Sequence, residues 1–508
     1  MQNPVTAVWE LTMGCNMRCK HCGSSCTTPL ADELTPEESI KLCDEIGSLG
    51  LKWITLSGGE PLLRTDWSRL VRRLRDHDVV PNIITNGWLC TEEVVELAKQ
   101  SGVGTFAVSL DGPQDVHDFI RAPGSFRRVL AALGIMADKG VSAGVITTVH
   151  QRNIDRLGEL RDILIDLGVD NWQLQIGLPM GNFGEPAHRA MVLPPEGVQT
   201  VVDFIHGHSL DERMRIYPAD CLGYYSVKDV EARTRAYRSS TPVNWCGCNA
   251  GKRSFGVLHN GDIVGCTSIR DRAFIEGNIR SRPLCDIWND PGAFSWSRGL
   301  TKEHLGGNCQ TCHLGSVCLG GCPNTRLTTH GTIHSGNEYC LYSIGLSRAK
   351  AALVSTSTAH IDIRAVARRF IENGEYQLAG MALEHLLALD KSDPDLYAQY
   401  GFVSYSLGNL ARARDANREA LLLDPKHVYA MKGLGVVLHA MGEVEDGIAY
   451  LQRAVAMTNG DDMDSYHDLA VLYIESGRKR DARVLLERAK NLSPPFAEAN
   501  AALYQLAD

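Results

Sequence analysis

Three thiols crowd into one short stretch of this chain, Cys15-Asn16-Met17-Arg18-Cys19-Lys20-His21-Cys22, spaced C-x3-C-x2-C directly after an apolar run from Val5 to Leu11. A cubane iron–sulfur cluster takes four thiolates, so three leave one iron open to a substrate or cofactor. The bland alternative is half a zinc site, with His21 and Cys26 near the C-x2-C pair. Zinc knuckles need a second ligand pair at short range, whereas the next cysteines, Cys43 and Cys90, stand singly. Thiols return in order further on. Cys248 is followed by twelve residues, Gly261, four residues and Cys266; then come Cys309-x2-Cys312-x5-Cys318-x3-Cys322, and last Cys340. That spacing is unlike the paired C-x2-C knuckles of a zinc ribbon. The chain has 16 cysteines, none beyond Cys340, and its N-terminus has neither a basic n-region nor a long apolar h-region. Metal chemistry rather than a disulfide framework is therefore expected.

The elements that must position these thiols can be read from periodicity. Thr35-Pro36-Glu37-Glu38 is a capping box with proline at the first helical position, and the helix it opens stops near Gly50. Leu51 to Ser57 reads as a strand, and the alternation continues: helix near 66–77, strand 80–85, helix 91–100, strand 104–110, helix 125–138, strand 142–149, helix 154–167, strand 171–176. Strands alternating with helices at this spacing predict right-handed βαβ units and a parallel sheet. Ligands bind beyond the carboxyl ends of such strands, so the residues just after each strand are candidates. They are Ser57-Gly58-Gly59-Glu60-Pro61, then Thr85-Asn86-Gly87, then Ser109-Leu110-Asp111-Gly112-Pro113. Asn260-Gly261-Asp262 predicts a hairpin turn that carries Cys266 back toward Cys248.

The first cysteine motif, with Gly58-Gly59-Glu60-Pro61 about forty residues on, resembles the radical S-adenosylmethionine (radical SAM) superfamily. The resemblance implies a partial (β/α)6 barrel and a [4Fe–4S] cluster on Cys15, Cys19 and Cys22, with SAM chelating the open iron. A reduced cluster then cleaves SAM to a 5′-deoxyadenosyl radical. It implies cofactor contacts at Gly58, Gly59 and Glu60, which would accept from the methionyl ammonium, at Ser109 and Asp111, and at His21, whose ring would pack near the adenine. His117, Asp118 and Arg121 also match that family's peptide-modifying members, Arg121 meeting a carboxylate or capping a helix. The later thiols resemble the SPASM domain. By that resemblance Cys309, Cys312, Cys318 and Cys340 hold one auxiliary [4Fe–4S] cluster, and Cys248, Cys266 and Cys322 hold another, making three clusters in all. The second set needs a fourth ligand or stays open; Cys246 is the candidate, with Cys221 in reserve.

Gly374, Gly408, Gly442 and Gly477 fall 34, 34 and 35 residues apart, and Ala379, Ala413, Gly447 and Ala482 keep the same step. That period resembles the tetratricopeptide repeat (TPR): four helix pairs and a closing helix from about Phe496, after a polar linker at Ser355 to Thr358. The expected domains are a barrel over 1–180, a bridge with little periodicity over 181–245, a SPASM domain over 246–350 and an all-α repeat solenoid over 360–508.

With 44% apolar and 22% charged residues the composition is that of a globular protein, and a net charge of −9 argues against a nucleic-acid surface. No membrane span is expected and the cytoplasm is the expected location. The combined resemblance implies a maturase of a ribosomally made peptide, which the repeats help to dock, with a reductant such as flavodoxin or ferredoxin. The reaction would be a crosslink, an oxidation or an epimerisation; no catalytic side chain is legible. The alternatives are a maturase of a folded protein such as a sulfatase, a small-molecule SPASM enzyme, or a non-catalytic repeat protein with structural or redox-sensing clusters.

Overall fold

The computed structural model describes residues 3–312, 314–356, 362–458 and 462–492. Two compact units emerge, Met1–Ile344 and Gly345–Asp508.

The first unit is built on one sheet. Its strands are β1 (Thr6–Glu10), β2 (Trp53–Ser57), β3 (Val80–Thr85), β4 (Phe106–Ser109), β5 (Ala143–Val149), β6 (Asn171–Ile176), β7 (Arg215–Pro218), β8 (Ser254–Val257), β9 (Asp262–Val264) and β10 (Ile275–Asn278), in the order β10-β9-β8-β1-β2-β3-β4-β5-β6-β7. Neighbours from β1 to β7 pair in parallel, as alternation with helices requires. The six βα units thus form the expected partial barrel. The helix Pro36–Ser48 begins with the predicted capping box, Thr35 and Glu38 each bonding the other's backbone N–H. Parallel strands are covered on both faces, and Trp9, Leu56, Ile83, Val108 and Trp172 are accordingly buried.

Two features exceed the sequence reading. The supposed bridge contains the helices Gly197–His208 and Val227–Ala236, with β7 between them extending the sheet beside β6. This four-residue strand ends in Pro218 and follows the polar stretch Asp211-Glu212-Arg213, without the apolar run that marks the equally short β4. The hairpin β8–β9 forms at Gly261 as predicted, but β8 also pairs in parallel with β1, from Thr6↔Ser254 to Trp9↔Val257. The cysteine-rich region therefore shares the barrel's own sheet.

Among its described residues the second unit holds four helix pairs: Ile363–Glu372 with Tyr376–Leu389, Pro394–Ser406 with Leu410–Leu423, Val428–Ala440 with Val444–Met457, and Met463–Glu475 with Lys479–Leu492. Each of the four repeating glycines lies in the left-handed region, φ +73° to +88°, at the turn within a pair. Ala379, Ala413 and Ala482 are fully buried where helices meet. Ser355 and Thr356 continue the helix Leu341–Thr356 instead of forming a linker. Ser357, Thr358 and the closing helix from Phe496 lie outside the described residues. Among the described residues no helix is long and apolar enough to cross a membrane.

Candidate functional site

The cysteine loop follows β1 and is tied to the ends of four other strands. Beyond β2, the N–H groups of Gly59 and Glu60 donate to Thr12 O (2.7 Å) and Gly14 O (2.9 Å). Gly58 has φ +132°, and a Cβ there would lie 2.4 Å from Thr12 O; one on Gly59 would lie 2.1 Å from Gly14 O. The obstructing atoms are backbone and cannot yield, so both positions require glycine. Beyond β3, Asn86 Nδ2 donates to Asn16 Oδ1 (2.7 Å). Beyond β4, Lys20 N donates to Ile120 O (2.8 Å). Beyond β6, Asn182 donates its N–H to Cys22 O (2.9 Å) and its Nδ2 to Cys19 O (3.0 Å).

Glu60 is 0% exposed. Its Oε1 accepts from Leu62 N (3.2 Å) and Thr85 Oγ1 (2.8 Å), and its Oε2 from Asn86 N (2.9 Å). Burial raises its carboxyl to about 7 against the pull of these bonds. The side chain braces the end of β2 to the end of β3. This enclosed carboxylate, expected to accept from a ligand ammonium, accepts three protein hydrogen bonds.

Asp111 is enclosed in the same way. Also 0% exposed, it accepts through Oδ2 from Arg121 Nε (2.5 Å), pairs there with His21 Nε2 (2.9 Å), and accepts through Oδ1 from Thr148 N (3.0 Å). Burial would raise it, but Arg121 and His21 hold it well below the usual carboxylate range. Asp111, expected to contact the cofactor, thus organises His21 and Arg121. Arg121, left undecided between a carboxylate and a helix cap, meets the carboxylate and carries its Nη1 to 3.9 Å from Cys19 Sγ. Ser109 closes β4, half-buried and in register with Ile146.

His21 packs edge-on against His150 and Phe183, centroids 6.2 and 6.4 Å apart. Neither His150 nor Phe183 was singled out from the sequence, although His150 directly follows β5, where the strand-end argument points. His150 Nδ1 accepts from Arg152 N (3.2 Å), which places its proton on Nε2. That Nε2 and His21 Nδ1 are buried without a protein partner. A bound molecule with polar edges would satisfy them, so the mouth fits a cofactor.

The three thiols are not equivalent. Burial pushes Cys19 up to about 11 and raises Cys15, while Cys22 is held low by the thiol of Cys26 and by nearby backbone N–H groups. Cys26 is raised in turn, by that contact first, and so is the protonated partner of the pair. On the other side of the loop, Arg270 pairs with Glu10 and donates to Ser24 Oγ.

Of the later cysteines, Cys309, Cys312, Cys318 and Cys340 line one cavity, with Tyr224 and Tyr342 in its wall. Four thiols around a common space suit a thiolate-held cluster, in keeping with the expected set. Cys248 is flanked by Cys322 and Cys266, the other expected set. Cys246 stands apart: it is exposed, its Sγ lies 3.5 Å from Asn244 O, and its thiol neighbours Tyr225. Cys246, the residue expected to complete this set, stands at the surface, whereas Cys248, Cys266 and Cys322 are half-buried.

Residues 9–164 match the radical SAM superfamily, residues 246–313 the SPASM iron–sulfur cluster-binding domain, and residues 364–493 the middle TPR-like domain of cilia and flagella-associated protein 70. The chain thus carries a radical SAM domain and a SPASM domain, and it is an enzyme. Among curated relatives it is 28% identical to the AdoMet-dependent heme synthase of Methanosarcina barkeri, over 67% of this chain and 97% of that one. It is 25% identical to the mycofactocin maturase MftC of Mycolicibacterium smegmatis, over 67% and 84%. Among solved structures, SuiB of Streptococcus suis bound to its precursor peptide SuiA shares the fold, with a TM-score of 0.52 at 17% identity, over 66% and 75%.

Proposed function

We propose that this chain is a peptide maturase: it cleaves SAM reductively and modifies a ribosomally made peptide, with three [4Fe–4S] clusters and an electron donor of the flavodoxin or ferredoxin class. The observation that carries the reading is the repeat unit. The heme synthase is matched along 97% of its own length while a third of this chain, the size of the repeat unit, is left over. Helical repeats of this kind present elongated surfaces suited to chain-like partners, which a small substrate does not need.

When bound, the cluster and SAM supply a carbon radical able to abstract hydrogen from an unactivated C–H. The protein's part is placement. Cys15, Cys19 and Cys22 hold the metal, and main-chain groups at Gly58 and Gly59 receive the methionyl end. Ser109 offers a hydroxyl at the barrel mouth. Asp111 fixes His21 and Arg121, so that one ring lines the adenosyl pocket and one cation sits beside Cys19. Phe183 and His150 close the wall and keep water from the reacting carbon.

A metalloporphyrin substrate is the second reading, favoured by the identity to the heme synthase. Anaerobic coexpression with the product of a neighbouring small open reading frame, followed by mass spectrometry, tests the first. A mass change in the peptide that depends on Cys19 supports it. An unchanged peptide, together with turnover of a metalloporphyrin, refutes it. Deleting residues 360–508 should lower peptide turnover more than uncoupled SAM cleavage; equal loss of both in a folded truncation counts against docking by the repeats.

A further inference from the structure

We propose that Cys221, not Cys246, is the fourth ligand of the auxiliary cluster held by Cys248, Cys266 and Cys322, and that this cluster has no open iron. The inference rests on the two auxiliary clusters of the preceding reading and does not depend on the substrate.

Cys221 lies in the turn between β7 and the helix Val227–Ala236, well outside the cysteine spacings that gave the domain away. The turn is fixed on both sides of the thiol by a buried cation. Arg233, 4% exposed, pairs with Asp229 (3.1 Å) and donates to Pro218 O (3.2 Å), Ala219 O (3.1 Å) and Leu222 O (2.8 Å). Gly223, at φ +83°, lets the chain pass Asp229, where a Cβ would come within 2.2 Å of Oδ1. Tyr224 follows in the left-handed region, φ +66°, a conformation costly for a bulky residue and held here by its surroundings.

What that conformation achieves is a direct tie to the cluster set. The Tyr224 hydroxyl donates to Asp220 O (2.9 Å) and accepts from Cys322 N (3.0 Å). One hydroxyl therefore joins the residue before Cys221 to the main chain of an expected ligand. Its ring also fills the space beside Gly321, where a Cβ would lie 2.7 Å from Cζ. Cys221 is half-buried, and Cys322 neighbours its thiol as it neighbours the thiols of Cys248 and Cys266. Cys322 is thus the common neighbour of the other three. A cysteine packed against a core is ordinarily inert. An inert thiol would not call for a buried ion pair clamping three carbonyls around it and a strained tyrosine locking its turn to a ligand.

The consequence concerns mechanism. Four thiolates leave no coordination position at that cluster for a substrate group, which limits it to exchanging electrons.

The test uses the full chain with Cys15, Cys19 and Cys22 replaced by alanine, so that only auxiliary clusters contribute, reconstituted without oxygen. Iron, acid-labile sulfide and low-temperature electron paramagnetic resonance are measured for this parent and for Cys221→Ala, Cys221→Ser and Cys246→Ala. The expected result is two clusters' worth of iron in the parent, an unchanged spectrum in Cys246→Ala, and a change confined to one cluster's signal, with iron loss, in both Cys221 variants. A perturbation by Cys246→Ala with silent Cys221 variants overturns the assignment. Cyanide added to the parent keeps the proposal falsifiable should the Cys221 variants not fold: a saturated site leaves the signals unmoved, and a cyanide-dependent shift overturns it. One cluster's worth of iron in the parent would refute the two-cluster reading itself, and the assignment with it.

Discussion

Replacing Asp111 by asparagine interrogates the organiser of the barrel mouth. The substitution keeps the shape and one acceptor oxygen but removes the charge that faces Arg121, whose side chain is only 10% exposed. Leaving one member of a buried ion pair without its partner costs about 3–5 kcal/mol. Because asparagine can still accept the Thr148 N–H, the lower end applies, about 3 kcal/mol. The unit Met1–Ile344 holds 344 residues. At about 2.1 cal/mol/K of unfolding entropy per residue, that loss lowers its apparent Tm by about 4 °C. The assay is anaerobic thermal unfolding followed by tryptophan fluorescence, with Asp115→Asn as control. Asp115 pairs with Arg156 at the surface, 3.3 Å away, and its replacement should move the Tm by less than about 1 °C. Freed from Asp111, His21 and Arg121 should also lose their orientation, and SAM should bind more weakly. An Asp111→Asn protein that melts with the parent and binds SAM as tightly would refute the organising role.

Burial lowers His150 to about 4, below the ordinary imidazole value. Its contribution to stability is thus intact above about pH 6.5 and eroded as pH falls toward 4, by about 3 kcal/mol at most. His150→Asn should flatten that part of the Tm-versus-pH curve, and an equally steep curve would count against it. Gly59→Ala should displace Gly14 and lower iron retention at the first motif, whereas Gly134→Ala, with open space around its Cβ, should be neutral or slightly stabilising; iron analysis of the two distinguishes them. Arg326 is fully buried, with Cys309, Cys322 and Cys318 as neighbours and its Nε without a protein partner. Arg326→Met should lower the midpoint potential of an auxiliary signal by tens of millivolts, an order of magnitude set by one unit charge in a partly buried site. Redox titration showing no shift would exclude that electrostatic role.

The elements were largely legible because each carried a local signal: the capping box at Thr35, apolar strands of five or more residues, Asn260-Gly261 at the hairpin, and glycines every 34 or 35 residues. The cysteine spacings were legible for the same reason, each being a local pattern in the sequence. What escaped was whatever depends on residues distant in sequence. Glu60 and Asp111 carry oxygens that suit a ligand, and only the arrival of Thr85, Asn86, Arg121 and Thr148 from other strands shows those oxygens to be engaged. Cys221 lies 27 residues before Cys248, beyond any spacing pattern, and β7 lacks the apolar run that marks β4.

The pairing of β8 with β1 bears on how this enzyme can be taken apart. A barrel excised after β7 would bare the backbone N–H and C=O groups of Thr6 to Trp9 along an unprotected edge, a template for association with other chains. It would also strip Arg270 from Glu10 and Ser24, loosening the segment that carries the first three thiols. The two metal-bearing regions are therefore not interchangeable cassettes, and chimeras should exchange Met1–Ile344 whole.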